Sequence, residues 1–262
     1  MTNQLKPKII FLGQGPLADS ALEILEKSYT IIFHAKTRAD LEVIKDLKTK
    51  SPKLPAVLAS FGVLIKQDVL NLFEPTGILN IHPSLLPKYR GPSPIESAIL
   101  NGDTTFGVSV MKLVKEMDAG PIYFQKSFTF NHSTEKPEIY HHLATVAATW
   151  LSKNLNNLPT PKPQSGTPTF TTKLSTSLSL LNPEEKSALE LNNQVRAFQN
   201  FPKSRYNFYN TDCIILKSHI SDSSSHLSLK CSDGNFLVID ELQPAGKKPM
   251  DAKSFLNGHK SH

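Results

Sequence analysis

The chain is poor in the features that mark secreted and membrane proteins. Its 262 residues include two cysteines, Cys213 and Cys231. They show no CxxC pair and no Cys/His spacing of a zinc site, so both read as buried thiols in a reducing compartment. No window approaches roughly eighteen consecutive apolar residues, so no membrane-spanning helix is expected. The opening MTNQLKPKII lacks the apolar run and small-residue cleavage site of a secretory signal, and a cytoplasmic protein is expected. G-x-S-x-G is missing, which argues against a hydrolase built on a nucleophile elbow. His141 and His142 are adjacent on a helical stretch, with no HExxH or other metal-ligand spacing. No internal repeat is present, and the terminal HKSH reads as a tail.

What is present is a soluble composition, 39% hydrophobic and 20% charged, with a formal charge of +6 and a pI near 9.2. The excess of lysine and arginine is spread over both halves. It suits a polyanionic partner such as nucleic acid, although many soluble proteins carry as much.

The chain begins as strand, glycine turn and helix in KIIFLGQGPLADSALEIL, where Ala18, Leu22 and Leu25 recur at helical spacing. TIIFHA, PAVLASFG and GILNIH read as further strands, separated by the amphipathic ADLEVIKDLKTK and the helical IKQDVLNLF. Strands alternating with helices predict an α/β domain with a parallel sheet covered on both faces. SPIESAILNG is a short helix, FGVSVMKLV and PIYFQKSFTF are strands flanking KEMDAG, and EKPEIYHHLATVAATWLSKNL is a long helix closing this domain. LPTPKPQSGTPTF carries proline, serine and glycine throughout and reads as an extended interdomain linker. Beyond it, PEEKSALELNNQVRAFQNF is a helix, and CIILKS, HLSLKC and NFLVIDEL are short strands of a small β-barrel or sandwich. The expected domains are 1–165 and 166–262.

Gly13, Gly15 and Ala18 fit G-x-G-x-x-A after a first strand, a pattern that can seat a pyrophosphate on a helix N-terminus. The acidic residue that a dinucleotide site wants after the second strand is missing, because His34, Ala35 and Lys36 stand there. A tight strand-to-helix turn is the favoured reading.

The stretch NIHPSLLPKYRG is richer. Asn80 and His82 lie two apart on a strand and share one face, and Pro83 ends the strand beside them. The carboxyl end of a strand in an α/β sheet is where ligands sit, and an amide beside an imidazole can donate to a developing oxyanion. A buried structural Asn–His pair fits the spacing equally well. Ser84, Leu85, Leu86 and Pro87 are too apolar for an ordinary loop, so they are either core or the wall of a pocket for a flat heterocycle. Lys88 and Arg90 could meet an acidic substrate. Asp118 in MDAG is either a turn former or a carboxylate brought to His82, where it could hold the imidazole protonated or accept a proton.

Asn80-x-His82, the SLLPKYRG run and Asp118-Ala119-Gly120 together resemble the 10-formyltetrahydrofolate-dependent formyltransferases. Their motif is Asn-x-His-x-SLLPxxxG with a downstream Asp-x-G. The resemblance covers residues 8 to about 130 well. LQPAGKKPMDAKSFLNG and VRAFQNFP are similar to the second domain of the branch that formylates methionyl-tRNA. It implies a Rossmann-like, mostly parallel sheet domain followed by a small OB-like β-barrel that binds tRNA. Asn80 and His82 would polarise the formyl carbonyl and stabilise its oxyanion. Asp118 would orient His82 and help deprotonate the amine, and Ser84, Leu85, Leu86 and Pro87 would line the folate site. The formyl group arrives on the folate co-substrate, so no metal is called for, and a monomer acting on initiator methionyl-tRNA is expected. Lys203, Lys247 and Lys248 are the expected phosphate contacts. A sugar-nucleotide amine is the alternative acceptor, and an RNA-binding module on a degenerate scaffold is the non-enzymatic one.

Two departures bear on tRNA recognition rather than on the formyl chemistry. The chain runs almost directly from TIIFHA into the next helix, where the family carries a long basic loop, with Lys36 and Arg38 standing there. The family's Asn-Pro-Trp-Pro is here Asn200-Phe201-Pro202.

Overall fold

The structure, a computed structural model, describes residues 5–258, so the terminal HKSH lies outside the described residues. Packing divides the chain into two units. One comprises the chain up to Ile95 together with Thr105–Thr171, and the other comprises Glu96–Thr104 and the chain from Thr172 on.

The first unit is built on β1 (Lys8–Leu12), α1 (Pro16–Ser28), β2 (Thr30–Ala35), α2 (Asp40–Lys50), β3 (Ala56–Ala59), α3 (Gln67–Asn71) and β4 (Leu79–His82). After α4 (Pro94–Leu100), whose first residues it includes, come β5 (Thr105–Lys112), β6 (Ile122–Thr129) and α5 (Lys136–Asn154). The sheet order is β2-β1-β3-β4-β5-β6, with β2, β1, β3 and β4 parallel and β5 and β6 antiparallel to their neighbours. The sheet is therefore mixed: the short loop between β5 and β6 makes a hairpin, which cannot be parallel.

Alternation along β1 divides the core. Ile10 and Leu12 join Leu41 and Ile44 of α2 and Val69 and Leu70 of α3 in one cluster. On α1, Leu17, Ala18, Ala21 and Leu25 are buried, and α1 packs against α5. Gly13 has φ +141°, and a Cβ there would lie 1.7 Å from the Ala59 carbonyl oxygen. The glycine turn lets the end of β1 approach the end of β3, which is the tight-turn role read from the sequence.

In the second unit α6 (Ala188–Ala197) is followed by β7 (Ser204–Phe208), β8 (Thr211–Ser221), β9 (Ser228–Lys230), β10 (Phe236–Pro244), β11 (Met250–Asp251) and α7 (Ala252–Asn257). The α6 N-terminus is a capping box: the Ser187 hydroxyl accepts from Glu190 N–H, and the Glu190 carboxylate accepts from Ser187 N–H. β7 and β8 join through Tyr209-Asn210, at φ +51° and +59°, values of a two-residue hairpin turn. The sheet is antiparallel in the order β11-β10-β8-β7, with β9 on β10, and the register of β10 against β8 shifts around Glu241. Leu191, Val195, Ile215, Leu237, Leu242 and Phe255 lie in its core. β7 and the two-residue β11 are the strands that the sequence pattern does not single out.

The proline-rich stretch is not a free linker. Lys162 exchanges backbone hydrogen bonds with Ile122, Arg90 N–H donates to Thr169 O at 2.9 Å, and Thr171 N–H donates to Arg90 O at 2.7 Å. These bonds keep the chain with the first unit past residue 165, up to Thr171. Prolines cannot donate, but the residues between them can, and those make the attachment.

Candidate active site

β4 is buried along its whole length, held parallel to β3 and antiparallel to β5. Its alternation puts Ile81 into the core on one side and aims Asn80 and His82 together to the other. Both polar side chains are buried, at 6% and 5% exposure, on a strand paired on both edges. Their positions are therefore set by the sheet.

The partners come from two loops. After β4 the chain makes a turn from Pro83 to Gly91 in which Tyr89 has φ +57° and Gly91 φ +114°. The left-handed Tyr89 presents its carbonyl oxygen to His82 Nε2 at 2.9 Å. A carbonyl can only accept, so Nε2 carries a proton and Nδ1 faces the other way. There, in the loop between β5 and β6, stands Asp118, with Oδ2 3.7 Å from His82 Nδ1. The same Oδ2 accepts Gly91 N–H at 2.8 Å, and Oδ1 accepts Asn80 Nδ2 at 3.4 Å. Asp118 has φ +47°, a conformation a non-glycine residue holds only where its surroundings fix it.

Asn80, His82 and Asp118 thus meet within hydrogen-bonding or ion-pair reach. The spacing of Asn80 and His82 foretold a shared face. The part played by Tyr89 had no sequence signal, because it uses a main-chain carbonyl.

The SLLP run divides. Ser84 is buried and donates its hydroxyl to Lys88 O at 2.6 Å, closing its own turn. Its carbonyl accepts from Ser109 Oγ at 2.7 Å, pinning the turn to β5. Leu86 is 4% exposed and its carbonyl accepts from Gln125 Nε2 at 2.9 Å. Leu85 packs over Gly107, where a Cβ would come within 2.3 Å of Leu85 Cδ2. Leu85 and Pro87 remain half-buried, so they keep side-chain surface to offer a ligand, while Ser84 and Leu86 shape the loop. Arg90 is taken up by Gln164 Oε1, which accepts from its Nε at 3.1 Å and Nη2 at 2.6 Å. Lys88 is exposed.

The arrangement places an amide donor, an imidazole and a carboxylate around one point at a strand's carboxyl end. Such a set can stabilise an oxyanion and accept a proton in acyl or formyl transfer.

Residues 7–155 match the formyl transferase family, and residues 173–260 match the formyl transferase C-terminal domain. The methionyl-tRNA formyltransferase of Borrelia hermsii (strain HS1 / DAH) is 33% identical over 264 residues, covering 92% of this chain and 83% of that one. Among solved structures, a methionyl-tRNA formyltransferase from Clostridium thermocellum is similar with a TM-score of 0.70 at 16% identity, over 92% of this chain and 99% of that one. HypX from Aquifex aeolicus in complex with tetrahydrofolic acid gives 0.72 at 16% identity, over 97% of this chain and 47% of that longer one. These two structural likenesses speak to the fold.

Proposed function

The chain belongs to the formyl transferase family, and from that membership we infer that it transfers the formyl group of 10-formyltetrahydrofolate to the amino group of methionyl-tRNA. The observation that carries this reading is the 33% identity, over 92% of the chain, to an enzyme of that activity. The convergence of Asn80, His82 and Asp118 supports it.

In the mechanism we propose, the methionyl amine attacks the formyl carbon, forming a C–N bond and pushing the carbonyl electrons onto oxygen. Asn80 Nδ2–H donates to that oxyanion, and so does His82 Nδ1–H once the imidazole is doubly protonated against the Asp118 carboxylate. Asp118, directly or through water, takes the proton that the attacking nitrogen must lose. Collapse of the tetrahedral intermediate breaks the bond to the folate nitrogen, which receives the electron pair and the returned proton. The products are formylmethionyl-tRNA and tetrahydrofolate. Tyr89 O fixes the imidazole ring throughout.

The turn from Ser84 to Pro87 forms one wall of the folate site, with Leu85 and Pro87 as its contact surface. The second unit carries the tRNA, with Lys247 and Lys248 exposed and Lys203 half-buried on it as phosphate contacts. The protein works as a cytoplasmic monomer and selects the initiator.

The test is formyl transfer from 10-formyltetrahydrofolate by the full chain, with initiator methionyl-tRNA, elongator methionyl-tRNA and an amino-sugar nucleotide assayed side by side. Fast formylation of the initiator is expected. Formylation of the sugar with none of either tRNA would overturn the reading.

A further inference from the structure

We propose that Gln164 is a positioning residue for the transfer step, a clamp that holds the Asp118 turn and the loop after β4 in register. The proposal rests on the functional reading above and assigns a role within that site to the docked proline-rich strap.

Gln164 is half-buried and all of its amide hydrogen-bonding directions are used. Its Oε1 accepts from two nitrogens of Arg90, at 3.1 and 2.6 Å. Its Nε2 donates to Asp118 O at 2.7 Å and to Gly120 O at 2.9 Å. Because a guanidinium only donates and a carbonyl only accepts, the amide can sit only this way round. One side chain therefore joins the two loops whose main chains form the site. Arg90 lies next to Tyr89, whose carbonyl orients His82, and next to Gly91, whose N–H holds the Asp118 carboxylate. On the other side, the two carbonyls taken by Gln164 are those of Asp118 itself, which adopts φ +47°, and of Gly120 two residues on.

The strap itself is anchored on either side of Gln164. Lys162 pairs with Ile122 at the start of β6, and Thr169 Oγ1 accepts Tyr89 N–H at 2.8 Å. Gln164 is thus a fixed brace between ends that are themselves fixed. Asn80 and His82 are set by the sheet, so the freedom left in the constellation is that of the Asp118 turn. A carboxylate displaced by about an ångström loses much of its use in a transition state.

The experiment uses the full chain as Gln164→Ala, Gln164→Glu and the control Ser165→Ala, an exposed neighbour on the strap. Gln164→Glu keeps the length and the acceptor facing Arg90 but loses the donor to Asp118 O, so it separates the two halves of the clamp. It also carries the test if the alanine variant fails to fold. Both Gln164 variants are expected to lose kcat by about tenfold or more with KM for either substrate within about threefold, whereas Ser165→Ala matches wild type. The Gly91 amide proton, which reports the Asp118 carboxylate without any turnover, is expected to exchange about tenfold faster in both. Wild-type kcat in Gln164→Glu, a loss shared by Ser165→Ala, a change confined to KM, or unaltered Gly91 exchange would each overturn the proposal. If the wild-type protein itself fails to formylate methionyl-tRNA, the functional reading falls, and the Gly91 exchange of the variants still decides whether Gln164 holds Asp118.

Discussion

Replacing Asp118 by asparagine exchanges one oxygen for an NH2 group and removes one charge where two N–H donors and an imidazole nitrogen converge. Oδ2 serves Gly91 N–H at 2.8 Å and faces His82 Nδ1 at 3.7 Å, while Oδ1 serves Asn80 Nδ2 at 3.4 Å. Asparagine has a single acceptor. If its oxygen takes the Oδ2 place, its NH2 is set against the NH2 of Asn80. Turned over, the NH2 confronts Gly91 N–H and the oxygen no longer faces His82. Neither rotamer restores the pattern, and neither offers a base for the proton of the attacking amine. The fold should tolerate the change, because asparagine accepts the left-handed conformation at φ +47° as readily as aspartate does. Loss of a positioned base is worth about 10²–10⁴ in rate, or about 3 to 5 kcal/mol on the barrier. Single-turnover formylation of methionyl-tRNA should show a loss of that size, with KM for both substrates near wild type because the missing interaction belongs to the transition state. A folded Asp118→Asn protein whose rate stays within about threefold of wild type would refute both the proton transfer and the orientation of His82 assigned to this carboxylate.

Gly91→Ala should cost about 1 to 3 kcal/mol in a urea melt and lower kcat as well, because Gly91 sits at φ +114° and a Cβ there would lie 2.7 Å from Thr171 Oγ1 and 2.9 Å from Thr171 O. Burial pushes the thiols of Cys213 and Cys231 above their usual range, so a disulfide reagent at pH 8 should leave the native protein unlabelled and modify both after unfolding. Ser187→Ala should destabilise the second unit by about 1 kcal/mol in a thermal melt by opening the capping box. Hydrogen bonds from the Ser187 hydroxyl and backbone hold the Glu190 carboxyl below its ordinary range. The stability it contributes is therefore present at neutral pH and lost as pH falls through the acidic range, and the wild-type advantage over Ser187→Ala should shrink there. Lys247→Ala with Lys248→Ala should weaken tRNA binding and reduce the slope of log affinity against log salt by about 1 to 2.

The alternation of strands and helices up to β4 was legible because buried parallel strands and amphipathic helices differ in period, and Ile9 to Leu12 and the α1 stripe are plain cases of each. The second unit was legible in outline, yet Ser204–Phe208 did not stand out as β7. Its SRYNF buries only its two ends, and it pairs through main-chain groups that any residue offers. The partners of the proline-rich stretch are hidden for a related reason. Composition shows that it cannot be a helix, but not that Lys162, Thr169 and Thr171 find partners on the first unit. In the site, the side chains with chemistry were visible as letters, while Tyr89 contributes a carbonyl and Gly91 an N–H that every residue of their kind possesses.

That division has a consequence for how the site tolerates change. Asn80 and His82 ride on β4, which is paired on both edges and buried along its length, so they cannot adjust to a misplaced partner. Their partners sit on loops at Tyr89, Gly91 and Asp118, all at positive φ, a conformation that glycine adopts freely but that Tyr89 and Asp118 hold only because their surroundings fix it. Packing and loop hydrogen bonds therefore do different work in one constellation: loss of packing around β4 unfolds the unit, whereas loss of a side-chain hydrogen bond to the loops leaves the fold and moves the carboxylate or the imidazole. The second class includes main-chain and strap contacts remote from the formyl carbon. Substitution of a strap side chain such as Gln164 should register in kcat before it registers in any melting curve.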